Sequence, residues 1–338
     1  MELDKYKKVG EIHKKIQEEI REFVIPNKKL IEIVKFIEKK IVEKVFATCQ
    51  EMEYSTEQVN NGIAFPVGLS LNFVAAHYTP NKNSELVYTE HDILKIDFGV
   101  HIDGHIIDGA ISISHNPILQ KLIDVSEKAT NKAIENFKPN QSLSEIGKII
   151  QDFVESPENN LEIKINENNT KKIKLKSLRD LCGHQIDLFK IHSGKAVPNI
   201  YFPYTGVIKE GEVYAIEPFI TTGNGRKTSI LPQQYNVLNH FMFNYSKFST
   251  LEAAIKYGKS QGLKNTHIEL LTYIYNKFKT LAFCPRWIKQ APNRICLSKL
   301  ISTNIIKEYP PICDIPESFI AQHEKTVFVS RDGPIILN

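Results

Sequence analysis

The sequence predicts a mixed α/β (α+β) fold. Two helix–helix–strand halves surround one site, and a helical unit is inserted late in the chain. Three observations carry this expectation. Apolar residues recur at helical spacing in two successive segments, strand and turn signals follow, and the same order then returns. The alternating stretch from Lys95 to Gly109 reads as a hairpin about Asp103-Gly104. Residues 222–300 leave this pattern and turn helical. The halves share no sequence repeat, so only the order of elements relates them.

Each element has its own signal. Ile12, Ile16, Ile20 and Phe23 mark a first helix that Pro26 ends, and Leu30, Val34, Ile37, Ile41 and Val45 mark a second. Residues 60–114 are rich in strand and turn residues. Asn116-Pro117 reads as an N-cap with Pro at the first helical position, opening a helix through Leu122, Val125, Ala129 and Ala133. Ser142 caps the next helix, through Ile146, Ile150 and Val154. Strand-like runs follow at 161–176 and 212–221, and the polar stretch 156–172 reads as an exposed hairpin or loop. Gly223, Gly225 and Pro232 punctuate the start of the inserted unit. Its helical patterning covers 250–258 and 266–279 and continues near Trp287. A last strand is expected over 320–328.

Composition bounds the rest. A chain of 338 residues, 42% hydrophobic and 24% charged, suits one large globular domain. No apolar run reaches bilayer length, so no membrane span is expected. The start, Met1-Glu2-Leu3-Asp4-Lys5, has no apolar signal region, so a cytoplasmic location is expected. Cys49, Cys182, Cys284, Cys296 and Cys313 are scattered at spacings that suit neither a zinc cage nor a disulfide frame. They read as reduced core residues. The net charge of +4 permits contact with RNA or a ribosome without demanding it.

Pairing the hairpin about Asp103-Gly104 sets Val100 opposite Ile107, Phe98 opposite Gly109 and Ile96 opposite Ile111. One face is then apolar, and the other carries Asp97 and Asp108 as diagonal neighbours. Two carboxylates held together in an apolar hairpin repel, so one keeps its proton unless a cation intervenes. A metal reconciles them; a bulge that turns one aspartate away, or plain solvation, is the other reading. His184 and His192 lie beside glycine-containing turns, where a lone histidine is usually a structural hydrogen-bonder. Alternation places Glu217 on the face of Val213 and Ala215, and Glu324 on the face of Thr326 and Phe328. A glutamate among buried strand positions needs a partner. Either one alone would equally be a surface carboxylate on an edge strand.

Taken together, these segments resemble the type 2 methionine aminopeptidases. The resemblance rests on Ala64-Phe65-Pro66-Val67-Gly68, Ala75-Ala76-His77-Tyr78-Thr79-Pro80-Asn81, Lys95 to Asp108, Gly183-His184 and Ile191-His192. It continues through Gly211 to Glu217, Leu281-Ala282-Phe283-Cys284, Tyr309 to Asp314 and Ala321-Gln322-His323-Glu324. It runs from about residue 10 onward, in order. It implies the pita-bread fold, with pseudo-twofold halves around an antiparallel sheet. The catalytic domain would be 1–221 and 301–338, and the type 2 helical insertion 222–300.

The resemblance also implies a site. Two divalent metal ions would be held by Asp97, Asp108, His184, Glu217 and Glu324, with Asp108 and Glu324 bridging. Mixed oxygen and nitrogen ligands suit Mn, Co, Fe or Zn. The implied reaction removes the initiator methionine from nascent chains with a small second residue, by metal-activated hydroxide attack. Glu217 would shuttle the proton, and His77 and His192 would polarise the carbonyl or stabilise the oxyanion. Phe65, Ile191, Phe219, Ala282 and Tyr309 would line the methionine pocket with the two histidines. Fumagillin-type epoxides would alkylate His77. A pocket-edge histidine of many relatives has no clear match between 226 and 262, where Tyr235 is its expected replacement. The resemblance does not extend to the lysine-rich and acidic N-terminal extension of many animal relatives, so no partner binding that depends on it is expected. Two other readings share features of the pattern. One is a prolidase or aminopeptidase P of the same fold, against which the segments around His77 and Tyr309 argue. The other is a non-catalytic nucleic-acid-binding relative, against which the full ligand set argues.

Overall fold

Two long amphipathic helices open the chain. Helix α1 (Glu2–Phe23) buries Ile12, Ile16 and Ile20 on one stripe, and Pro26 follows its end. Strand β1 (Lys28–Lys29) leads into α2 (Leu30–Glu51), whose Leu30, Val34, Ile37, Ile41 and Val45 are buried. The structure, a computed structural model, describes residues 2–51, 60–166, 169–203, 206–228, 235, 239–288 and 294–338. Short strands β2 (Asn61–Ile63), β3 (Gly68–Leu71), β4 (Val74–Ala76) and β5 (Val87–Tyr88) precede the long pair β6 (Ile93–Ile102) and β7 (His105–Ser114). β6 is the spine of this sheet, since β2, β3 and β7 all pair with it antiparallel. The hairpin register is the expected one, with Val100 opposite Ile107 and Phe98 opposite Gly109. Asp103 and Gly104 take positive φ, 49° and 78°, as a two-residue turn between twisted strands requires.

The second half begins where Asn116 Oδ1 accepts the Ile118 N–H at 3.1 Å, starting α3 (Pro117–Glu135). Ser142 Oγ likewise accepts the Ser144 N–H at 3.2 Å and starts α4 (Leu143–Val154). β8 (Leu161–Asn166) and β9 (Asn169–Ile173) form the expected hairpin. Then come β10 (Lys176–Ser177), β11 (Cys182–Ile186), β12 (Ala196–Pro198), β13 (Val213–Ile216) and β14 (Phe219–Thr221). Each half packs its helix pair on its own apolar cluster. α1 and α2 cover residues such as Phe98 and Ile111. α3 and α4 cover Tyr214, Ile216, Ile220 and Val327.

The next stretch holds β15 (Phe241–Phe243), α5 (Leu251–Ser260), α6 (Asn265–Phe278) and α7 (Arg294–Ser302). These share a separate cluster around Phe243, Leu271, Phe283 and Leu300, closed where β15 pairs with β16 (Ile306–Glu308). Trp287 lies in one turn of 3-10 helix, Pro285–Trp287, rather than in a continuing helix. Pro232 lies outside the described residues.

The chain closes with β17 (Ile312–Cys313), β18 (Ile320–Gln322), β19 (Lys325–Ser330) and β20 (Gly333–Ile336). One sheet runs β12-β11-β13-β19-β20, and a second runs β10-β14-β18. Two runs read as single strands are therefore each broken. The run 212–221 splits into β13 and β14 around Glu217-Pro218, and 320–328 splits into β18 and β19 around His323-Glu324. Pro218 has no N–H for a ladder, and the partners change sheet together: β13 pairs with β19, β14 with β18. Alternation thus does not fix the direction of Glu217 or Glu324, as the sequence reading assumed. Both stand where the chain crosses from one sheet to the other. Among the described residues no helix is long and apolar enough to cross a membrane.

Candidate active site

The two aspartates come from neighbouring strands, offset by two residues and so on one face: Asp97 faces Ala110, and Asp108 faces Gly99. His184 stands on β11, between Ala196 of β12 and Ala215 of β13. Its Nε2 lies 3.5 Å from Asp108 Oδ2 and 3.4 Å from Glu217 Oε1. Ligand atoms of Asp108, His184 and Glu324 all fall within 4.8 Å of one another. Gln322, fully buried on β18, donates its amide to Glu217 Oε2 at 3.2 Å and to Glu324 Oε2 at 3.3 Å. The five residues named from the sequence meet at the junction of the two halves.

Side-chain hydroxyls hold that junction in register. Ser112 Oγ donates to Gln322 O at 2.8 Å and accepts the Gln322 N–H at 2.9 Å. Glu324 N–H donates to Ala110 O at 3.0 Å. Thr326 Oγ1 donates to Asp108 O at 2.7 Å and accepts the Asp108 N–H at 2.8 Å. Asn338 Nδ2 adds a second donor to Asp108 O at 3.0 Å, while its Oδ1 accepts the Thr326 N–H at 2.9 Å. β7, carrying Asp108, is therefore tied to the β18–β19 segment carrying Glu324. No regular ladder links the two.

Burial, then mutual repulsion, pushes Asp97, Glu217 and Glu324 well above the usual carboxylate range. Burial likewise pushes Asp108 up to about 7. This is the conflict foreseen from the hairpin. Asp97 Oδ1, Asp108 Oδ1 and Glu324 Oε1 are buried with no hydrogen-bond partner among the described residues. Buried oxygens without donors are costly, and cations are the groups that satisfy several at once. Four carboxylates and one imidazole on a shared wall thus fit two divalent ions in ligand type and in charge.

Beside this wall lies a cavity of about 190 Å³. Phe65, His77, Ile191, His192, Phe219, Ala282 and Tyr309, all named from the sequence, line it together with Asp97, Asp108, His184 and Glu217. Gly99 makes room for the floor, since a Cβ there would stand 2.3 Å from the Phe65 ring. His77 follows β4 with a left-handed backbone, φ 65°, which β17 supports by pairing with β4. Burial holds His77 and His184 down to about 4 and His192 well below the ordinary imidazole range, so all three are neutral.

Several lining residues were missed. His240 lies in the cavity wall, its ring 5.4 Å from His77 and 5.8 Å from Tyr309. The expected replacement, Tyr235, instead packs edge-on against Phe73 and Tyr78, buried in the core. The signal that could have found His240 is the apolar run Phe241-Met242-Phe243 just after it, which reads as a strand. Pairing with β16 brings that strand beside Tyr309, whose N–H donates to His240 O at 2.9 Å. Met242 and Ala76 also line the cavity, as do Asp180, Leu181 and Cys182 on its rim. The cysteine reading is corrected accordingly. Cys49, Cys284 and Cys313 are buried, but Cys296 is half-buried and Cys182 is exposed in the cleft. Cys182 starts β11 on the same wall as His184, so its side chain faces the opening rather than a core. Burial by its surroundings, then Glu217, pushes its thiol up to about 11.

Residues 4–241 match the model of metallopeptidase family M24. The methionine aminopeptidase 2 of Schizosaccharomyces pombe is 32% identical over 333 residues, covering 96% of this chain and 69% of that protein. The methionine aminopeptidase 2A of Arabidopsis thaliana is 32% identical over 326 residues, covering 96% and 67%. Among solved structures, a thermophilic Arx1 superposes with a TM-score of 0.76 at 14% identity, covering all of this chain and 90% of that one. The methionine aminopeptidase of Thermotoga maritima gives 0.61 at 18% identity, covering 99% and 96%. At such identities the two structures speak for the fold alone.

Proposed function

The chain belongs to metallopeptidase family M24 and, within it, to the methionine aminopeptidase 2 proteins, and from its site we infer that it removes N-terminal methionine by metal-dependent hydrolysis. One observation carries the inference. Four carboxylates, those of Asp108 and Glu324 buried and those of Asp97 and Glu217 half-buried, converge with a neutral imidazole on one side of an apolar cavity, and three of their oxygens have no partner among the described residues.

Asp97, Asp108, His184, Glu217 and Glu324 are the residues to hold two divalent ions, of Mn, Co, Fe or Zn type. When bound, such ions supply Lewis acidity and bring the pKa of a water near neutrality. The chain's own groups divide the remaining work. His77 Nδ1–H donates to Pro310 O at 3.3 Å, which leaves Nε2 as a lone pair facing the cavity. His77 is therefore an acceptor, suited to a substrate backbone N–H, and not an oxyanion donor. His192 is neutral and keeps one ring N–H to polarise the scissile carbonyl. Tyr245 steadies it by donating to His192 O at 2.8 Å. Glu217 stands at the cavity wall, between cluster and substrate, where it can take a proton and return it. Phe65, Ile191, Phe219, Ala282 and Tyr309 form the slot for an unbranched thioether.

Residues 1–221 and 301–338 form the catalytic domain in this reading. The insertion 222–300 contributes His240, Met242 and Ala282 to the pocket wall. The same reading assigns His77 Nε2 as the atom alkylated by fumagillin-type epoxides. It takes new chains with a small second residue as substrates, which accords with a cytoplasmic location and with a ribosome contact by a weakly basic protein. A peptide panel read by mass spectrometry tests it. Met-Ala, Met-Val and Met-Thr peptides should be cut, and Met-Glu and Met-Lys peptides left intact. Chelation should abolish cleavage, and Mn or Co should restore it. Equal cleavage of Met-Glu and Met-Val, or a preference for Xaa-Pro, would reject the assignment.

A further inference from the structure

The rim of the cleft carries a charge that the chemistry above does not use. Asp180 lies in the turn just before β11, Cys182 and His184 alternate along that strand, and all three line the cavity. The rim is held from behind. Asn199 Nδ2 donates to Leu181 O at 3.0 Å, and Arg179 N–H donates to Gly225 O at 3.1 Å. Lys227 N–H donates to Asp180 Oδ2 at 2.7 Å. This bond occupies one oxygen and fixes the carboxylate. The side chain is exposed, and none of its neighbours Arg179, Arg226 and Lys227 forms an ion pair with it. An oriented carboxylate without a cation thus borders the path by which a peptide leaves the reaction centre.

We propose that Asp180 is a specificity-determining residue that favours a basic side chain at the third or fourth position of the peptide being trimmed. The inference rests on the aminopeptidase reading of the site. Asp180 lies four steps along the chain from His184, at most about 13 Å at the rise of an extended strand. An extended substrate with its first carbonyl at the metal-ligand cluster covers the same distance at about the same rise per residue. Its third and fourth residues stand about 7 and 10 Å along, and the flexible stem of lysine covers the remaining distance to the rim. The pair is solvent-exposed, so its effect is modest: about two- to five-fold in rate at low salt. It forms in ground and transition states alike, so the gain lies in KM and not in kcat.

The test uses the Mn-loaded protein and three peptides: Met-Ala-Ala-Ala-Ser, Met-Ala-Lys-Ala-Ser and Met-Ala-Ala-Lys-Ser. At least one lysine peptide should exceed the all-alanine one in kcat/KM by about two- to five-fold, through KM. That ratio should fall to about one in Asp180→Asn and in about 0.5 M salt. The asparagine variant can still accept from Lys227 N–H, so the turn is kept. Equal rates in the unaltered protein, or a lysine preference that survives Asp180→Asn, overturn the proposal. If the all-alanine peptide is cut without any lysine preference, only this inference fails. If no peptide is cut, the aminopeptidase reading fails and takes it along.

Discussion

Replacing Thr326 with valine tests how the site is held together. The two side chains match in shape, so the change removes a hydroxyl and little else. That hydroxyl makes two bonds to one residue, donating to Asp108 O at 2.7 Å and accepting Asp108 N–H at 2.8 Å. Thr326 is fully buried, so no water replaces it. Asp108 O keeps the Asn338 amide at 3.0 Å and loses only a second donor, but Asp108 N–H loses its partner. One lost bond and one unsatisfied buried donor together cost about 2–4 kcal/mol. For a chain of this size that lowers the apparent Tm by roughly 3–6 °C. A loosened Asp108 should also weaken metal binding by about 10-fold or more. Thermal unfolding in chelator reads the first effect, and calorimetric titration with Mn reads the second. Thr326→Ser keeps the hydroxyl and should recover most of both. A valine variant within about 1 °C of the unaltered protein would refute the reasoning. So would a serine variant as damaged as the valine one.

Other outcomes follow from the same geometry. Asp108→Asn removes a charge from the cluster and should abolish peptidase activity while lowering bound Mn below two per chain, measured by elemental analysis of the purified protein. Gln322→Leu removes the amide that fixes Glu217 and Glu324, and should reduce kcat more than it raises KM; unchanged kcat would count against that positioning role. A fumagillin-type epoxide should add once, at His77, and His77→Asn should abolish the adduct; an adduct on Cys182 or His240 would show that the lone pair is misassigned. His13, buried with Nε2–H donated to Phe98 O at 2.9 Å, is held down to about 3 by burial, against 6.5 unfolded. Its contribution is therefore complete above pH 6.5 and is lost as pH falls toward 3, amounting to about 2 kcal/mol by pH 5. His13→Gln should flatten the stability slope between pH 7 and 5 in denaturant titrations, and parallel slopes would refute it.

The hairpin was legible because everything that sets its register is local. Asp103-Gly104 supplies the turn, and alternation puts Asp97 and Asp108 on one face. The two caps were legible for the same reason, since Asn116 and Ser142 act on backbone two residues away. Glu217 and Glu324 were identified as residues, but their setting was not. Alternation assumes a continuous ladder, and at these two positions the ladder stops. What replaces it is long-range: Ser112 to Gln322, Thr326 to Asp108 and Asn338 to Asp108 span about two hundred residues of chain. A buried serine or threonine in a strand looks like any other strand residue in sequence. His240 escaped for a similar reason, because its place in the wall is set by the β15–β16 pairing and not by its neighbours.

The breaks themselves account for the site. A continuous strand would point a glutamate to one face of one sheet and leave it beside only its own neighbours. Here Ile216 pairs with Lys325 in one sheet, and Phe219 pairs with Gln322 in the other. The residues between, Glu217-Pro218 on one chain and His323-Glu324 on the other, belong to neither ladder. Both carboxylates are thereby free to turn toward the seam, where β7 presents Asp108 and β11 presents His184. The seam lies between two apolar clusters, each covered by its own pair of helices, so it is shielded from bulk solvent without being part of either core. Partial burial makes four neighbouring carboxylates costly without cations, and the hydroxyl and amide links across the seam keep the carboxylates from separating to relieve the repulsion. The fold thus forces the charge together first, and metal binding is the consequence. A variant that cut those links should therefore lose metal affinity before it loses secondary structure, and circular dichroism recorded alongside Mn titration of Thr326→Val would separate the two.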